Sequence, residues 1–241
     1  MANPTAAMLV IGDEILSGRT RDTNLHFLAG ELTRHGITLA EARVVADDHA
    51  AIIAAVNALR SARDHVFTSG GIGPTHDDIT ADAVAAAFAV PIGHRADAMA
   101  LLAAHYERSG LPFNEARQRM ARIPDGAVLI DNPVSTAPGF TLGNVHVMAG
   151  VPTIFQAMVA SVLPTLTGGR PLLSQTWRVM RGEGEIAEDF GRLAAEYPDL
   201  TMGSYPFQVN GAFGTNLVIR GTDAGRIDAA MMRLSTLFPA P

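Results

Sequence analysis

The densest grouping of chemically useful residues is TSGGIGPTHDDIT at positions 68–80. Gly70, Gly71 and Gly73 let the backbone approach an anion closely and aim N–H groups at it, which is the chemistry of phosphate binding. Asp77 and Asp78 follow, and two carboxylates repel a phosphate unless a divalent cation such as Mg2+ stands between them. The segment therefore reads as a phosphate loop with a metal edge. The alternative is a plain turn in which Asp77 or Asp78 caps the next helix.

A second acidic pair, Asp13-Glu14, follows the apolar run at residues 6–12, and Asp22-Thr23-Asn24 comes soon after. Asn24 is a candidate contact to a sugar or base and equally a candidate helix cap. A third loop, NPVSTAPG at residues 132–139, is rich in hydroxyls and turn formers, and reads either as a ligand contact or as a Pro-braced turn. His76 is the one histidine within these segments, expected as a loop hydrogen-bonding group rather than a general base. The expected ligand contacts are Gly70, Gly71, Gly73, Thr75, Asn24, Ser135, Thr136 and Gly139. Asp77 and Asp78 are the expected catalytic carboxylates.

The elements needed to gather these loops are visible in the apolar pattern. Residues 6–12 (AAMLVIG) and 64–69 (DHVFTS) are short apolar runs that lead into glycine, as strands buried on both faces of a parallel sheet do. Residues 24–35 and 50–60 carry apolar positions at helical spacing, the first stopping at Gly36. This alternation predicts a three-layer α/β/α sandwich on a mixed, mostly parallel sheet. In such sheets ligands bind beyond the carboxyl ends of the strands, where Asp13, Glu14 and the 70–78 loop would meet.

Further helices are expected from Thr80, which could cap one through Phe88, then over 96–108, from near Asn114, and over 153–166. Strands are expected at 127–130, 140–142 and 145–148, with a hairpin turn at Gly143-Asn144, two residues that tolerate positive φ. Gly168-Gly169-Arg170-Pro171 is the linker candidate, dividing the chain into domains 1–169 and 170–241. After it, strands at 175–181, 200–206 and 215–221 alternate with helices at 185–196 and 223–237. That pattern is a small α+β companion domain with Trp177 in its core.

Hydrophobic residues are 48% of the 241 and charged residues 17%, enough apolar material for packed cores. The net charge of -6 and the scattered arginines leave no basic stripe, so nucleic acid is not expected as a partner. No cysteine is present, which excludes thiolate metal sites and Cys nucleophiles and fits a cytoplasmic protein. All 18 basic residues are Arg; without Lys, Schiff-base chemistry and a Walker-type phosphate loop are excluded. The N-terminal Met-Ala-Asn-Pro carries no leader pattern and no apolar run is long enough for a membrane span, so neither targeting nor a membrane is expected.

GDEIL, DTN, GGIGPTHDDIT, NPVSTAPGF and GVP occur in the order of the MoaB/Mog-type molybdopterin-binding domain, and the chain resembles the competence-damage-inducible protein A branch of that family. The resemblance covers about the first two thirds of the chain. It implies Gly70, Gly71 and Gly73 at the phosphate of a pterin or nucleotide, and Asp13, Glu14 and Asp78 at a divalent metal, with no organic cofactor required. Relatives bind molybdopterin, and members of the branch are linked to metal-dependent hydrolysis of ADP-ribose-like dinucleotides, often with a fused amidase domain. No amidase domain is expected here.

Two departures bear on activity. The branch commonly has Ser-Glu-Met-Lys after GVP, where this chain has Thr153-Ile154-Phe155-Gln156, and Ser135 stands where Gly is usual. Three readings follow: a metal-dependent pyrophosphatase, a module that binds a molybdopterin-like or nucleotide diphosphate ligand without turnover, and a structural homo-oligomer joined through apolar helix faces near Met158 and Val162.

Overall fold

The computed structural model describes residues 3–239; Met1 and Ala2, part of the segment read above for a leader, lie outside them. The chain divides into two compact units, Met1–Gly169 and Arg170–Pro241.

The first unit runs β1 (Thr5–Ile11), α1 (Asp13–Leu16), α2 (Asn24–Arg34), β2 (Thr38–Val45), α3 (His49–Ala62), β3 (His65–Ser69), α4 (Thr80–Phe88), β4 (Ile92–His94), α5 (Ala96–Arg108) and α6 (Glu115–Gln118). It continues through a 3-10 turn (Arg119–Ala121), β5 (Arg122–Pro124), β6 (Val128–Ile130), β7 (Gly139–Leu142), β8 (Val145–Met148) and α7 (Pro152–Val162). Six strands form one sheet in the order β2-β1-β3-β8-β7-β6. β2, β1, β3 and β8 are parallel, and β7 is antiparallel to both its neighbours. This is the mixed, mostly parallel α/β sandwich expected.

β1 shows why a continuous apolar run was needed. Its residues alternate between two cores, because successive side chains of a strand point to opposite faces. Ala7, Leu9 and Ile11 join α3, α4 and α5 on one face, through Ile52, Val56, Leu59, Val84 and Leu102. Ala6, Met8 and Val10 join α2 and α7 on the other, through Leu28, Leu32, Phe155, Met158 and Val162.

Met158 and Val162 are thus buried within the unit and present no free face, which removes the basis given above for an oligomer through them. Thr80 does not cap α4: it is the first helical residue, and its hydroxyl donates to the Gly70 carbonyl, tying the helix start to the glycine loop. In the β7–β8 hairpin only Gly143 takes positive φ; Asn144 instead donates its amide to the carbonyls of Arg60 and Arg63.

The second unit comprises β9 (Leu173–Val179), α8 (Glu183–Glu196), β10 (Thr201–Val209), β11 (Ala212–Gly221) and α9 (Ala224–Leu237). Its antiparallel sheet has the order β10-β11-β9, and the helices cover one face over Val179, Phe190, Leu217, Ile219 and Leu234. Trp177 packs against this core and donates its indole N–H to the Phe238 carbonyl. Asn210-Gly211, both at positive φ, form the two-residue turn that fixes the β10–β11 register at Val209 opposite Ala212. No helix among the described residues is long and apolar enough to cross a membrane.

Candidate functional site

The carboxyl ends of β1, β2, β3 and β8 deliver Gly12, Ala46, Gly70 and Ala149 to one edge of the first unit's sheet, and the loop 131–138 between β6 and β7 lies at the same edge. There Gly12, Gly70, Ala149 and the 131–138 loop border a cleft of about 570 Å3, whose walls include Glu14, Asp47, Gly70, Gly71, Gly73, Asp77, Asp78, Asn132, Ser135 and Ile154.

Gly70 and Gly71 are structural necessities of this loop. Gly70 sits at φ +110°, with its Cβ position blocked by the Ile11 carbonyl, and Gly71 at φ +70°, blocked by the Thr80 hydroxyl. At Gly73 a Cβ would lie 2.6 Å from an Asp78 carboxylate oxygen. Neither Asp77 nor Asp78 caps α4, whose N-cap position is Ile79 and carries no side-chain bond. Asp78 Oδ2 instead accepts from the Thr75 backbone N–H at 2.8 Å and the Thr75 hydroxyl at 2.5 Å, closing the loop on itself.

The acidic edge has a member the sequence reading missed. Asp47, just past β2, accepts from the Asp13 N–H at 3.0 Å. Burial raises its carboxyl above the usual range, and the neighbouring Asp13, Glu14 and Asp77 push in the same direction against the lowering effect of that hydrogen bond. His76 is exposed, with Nδ1 3.9 Å from Asp77 Oδ1.

Among the described residues no three His, Cys, Asp or Glu side chains form a ready-made metal cluster. Asp47 lies in the repulsive field of Asp13, Glu14 and Asp77, carboxylates whose hard oxygens suit a divalent cation such as Mg2+. Asp78 lines the cleft beside them, with one carboxylate oxygen already committed to Thr75.

Other expected contacts divide. Ser135 lines the cleft and accepts from the Asn132 amide at 2.6 Å. Asn24 is the first residue of α2, not its cap. Its amide donates to the Ser69 hydroxyl and the Gly150 carbonyl, both at 2.8 Å, while its buried Oδ1 has no partner. It lines a smaller pocket of about 60 Å3 that shares Ile11, Glu14, Thr20, Gly150 and Pro152 with the main cleft.

Asp13, Thr75, Thr136 and Gly139 do not line the cleft; Asp13 adjoins it through its N–H on Asp47. Thr75 braces Asp78. Thr136, at φ 66°, places its hydroxyl 3.0 Å from His105 Nδ1. Gly139 opens β7, where the Val147 carbonyl leaves no room for a Cβ. Strand packing, rather than a ligand, requires that glycine.

The family model described as a probable molybdopterin binding domain matches residues 7–168, and that of the FAD synthase middle domain matches residues 171–241. A probable FAD synthase of Caenorhabditis elegans is 32% identical over 97% of this chain and 50% of its own length. A CinA-like protein of Citrifermentans bemidjiense is 38% identical over 67% of this chain and 40% of its own length. The chain thus spans about half, or less, of these two relatives.

The crystal structure of a CinA protein of unknown function from Thermoplasma acidophilum superposes with a TM-score of 0.63 at 33% identity, covering 68% of this chain and 99% of that one. With the motifs, the sheet order and the cleft, these similarities show that the chain belongs to the molybdopterin-binding domain family, as a CinA-like member of MoaB/Mog type.

Proposed function

We propose that the first unit binds a phosphorylated pterin or a nucleotide diphosphate, with the phosphates over the 70–73 loop and a divalent cation at the acidic edge. The observation that carries this reading is the cleft itself: a glycine loop, with Gly70 and Gly71 at positive φ, lines the same space as the carboxylates Glu14, Asp47, Asp77 and Asp78. The glycine loop suits a phosphate but the carboxylates would repel it; a cation reconciles the two. Asp13, Glu14 and the uncommitted oxygen of Asp78 would hold the cation, with Asp47 and Asp77 adding to the negative field. When bound, it would neutralise pyrophosphate charge and polarise a phosphoryl oxygen.

The chain's own groups supply the rest. The Asn24 Oδ1, buried without a donor, offers an acceptor to a sugar hydroxyl or ring N–H at the adjoining pocket. Ile154 gives the wall an apolar patch suited to a flat ring. Calorimetry with ADP-ribose, FAD and a phosphorylated pterin tests the proposal. Saturable binding of at least one in Mg2+ is expected, and the absence of binding to all three would refute it.

One observation favours turnover as a second reading. Asp47 lines the cleft with its carboxyl raised, which suits a proton acceptor for water attacking phosphorus. Incubation with ADP-ribose and Mg2+, Mn2+ or Co2+ would then yield AMP and ribose 5-phosphate. Intact ADP-ribose under conditions of demonstrated binding would leave the module reading standing alone.

A further inference from the structure

Behind the glycine loop lies a second, much smaller cavity of about 20 Å3, which shares Gly71, Ile72, Gly73, Asp78 and Met120 with the main cleft. Arg119 and Arg122 come to it from the 3-10 turn after α6 and from β5. Arg122 is fully used: its two terminal nitrogens reach the two oxygens of Asp82 at 2.9 and 2.6 Å. The Arg119 guanidinium makes no hydrogen bond or ion pair to any described residue, and its Nε is buried without an acceptor.

A buried N–H left without an acceptor is a standing cost to a fold. Asp82 is neutralised by Arg122, and one oxygen of Asp78 is committed to Thr75. Arg119 is the arginine of this lining whose guanidinium has no carboxylate within ion-pair distance among the described residues, next to the glycine loop. Space on the scale of a water molecule accepts a phosphate oxygen, not a ring.

Resting on the binding reading above, we propose that Arg119 is an anion-binding residue of this site. It takes the terminal phosphomonoester of the ligand, while Glu14, Asp47 and Asp77 line the main cleft and not the small cavity. A guanidinium matches a dianionic phosphate end in charge and in its forked donors. The site is polarised accordingly. A ligand whose phosphates are all internal diesters leaves Arg119 without its partner, so the residue selects for a terminal phosphate.

The test is calorimetric titration of the full chain, Arg119→Gln and Arg119→Lys with adenosine, AMP, ADP and ADP-ribose in Mg2+. For Arg119→Gln the expected loss of affinity is about tenfold or more for AMP and ADP and under about threefold for ADP-ribose, with Arg119→Lys, which keeps the charge but not the forked donors, recovering only part of it. Equal losses for ADP and ADP-ribose would overturn the assignment to a terminal phosphate. Unchanged AMP and ADP affinity would overturn the role of Arg119 while leaving the cleft as a phosphate site. Wild type that binds none of the phosphorylated probes would remove both readings together.

Discussion

Gly71 is held at φ +70°, and a methyl group placed on it would run into the Thr80 hydroxyl, which itself anchors the Gly70 carbonyl. Strain in that backbone region costs about 1–3 kcal/mol, so Gly71→Ala should lower the thermal midpoint and weaken ligand binding together. An unchanged melting curve would contradict the loop geometry. Asp78 has two jobs in this account, bracing Thr75 and facing the cation. Asp78→Asn preserves an acceptor for the Thr75 N–H, so stability should stay within about 1 kcal/mol, while Mg2+-dependent affinity for ADP-ribose falls. Identical metal dependence in both proteins would confine Asp78 to the brace.

At the level of elements, β3, β7 and β8 bring a histidine pair into the sheet. His146 is 3% exposed, 4.9 Å from the Phe67 ring centroid, with Nε2 3.3 Å from His65 Nδ1 and Nδ1 3.0 Å from the Thr141 hydroxyl. Burial, with His65 beside it, pulls His146 down to about 3 from an ordinary 6.5, and burial lowers His65 as well, against the opposing pull of Asp64. Below pH 6.5 the unfolded chain takes up a proton that the folded chain refuses. The stability is thus full above that pH and lost as pH falls toward 3, by about 1.4 kcal/mol per pH unit for one such group. Thermal melts between pH 7.5 and 5 should show this slope in wild type and a shallower one in His146→Gln. Equal slopes would show that the pair does not carry the acid sensitivity.

The same scale explains what could be read from the residues alone. β1 and β3 were legible because strands buried on both faces leave unbroken apolar runs, and the ligand loops follow from their ends. β2 was not placed, because an edge strand reading TLAEARVV, half-buried and exposed in alternation, carries no such run. Asp47 went unnoticed with it, since only the position of β2 shows that VVADD ends at the acidic edge. β4 and β5, three residues each, are too short to leave a period. The Asn210-Gly211 pair was a readable hairpin signal that would have extended the last two strands to the turn. Arg119 had no local signature, because its significance lies in the cavity that distant loops form around it.

Across the whole molecule, every residue lining the cleft falls between Ile11 and Ile154, within the first unit. The Thermoplasma structure, 99% covered by about two thirds of this chain, is such a unit by itself. A fragment of residues 1–169 should therefore retain ADP-ribose affinity within about threefold of the full chain. Loss of binding by a folded fragment would place part of the site in the second unit. The central claim is that cation and phosphate are bound as a linked pair in this cleft. The direct measurement is calorimetric titration of the intact protein with ADP-ribose in Mg2+ and again in EDTA. The account predicts affinity at least about tenfold tighter with Mg2+. Equal affinity in both buffers would contradict it.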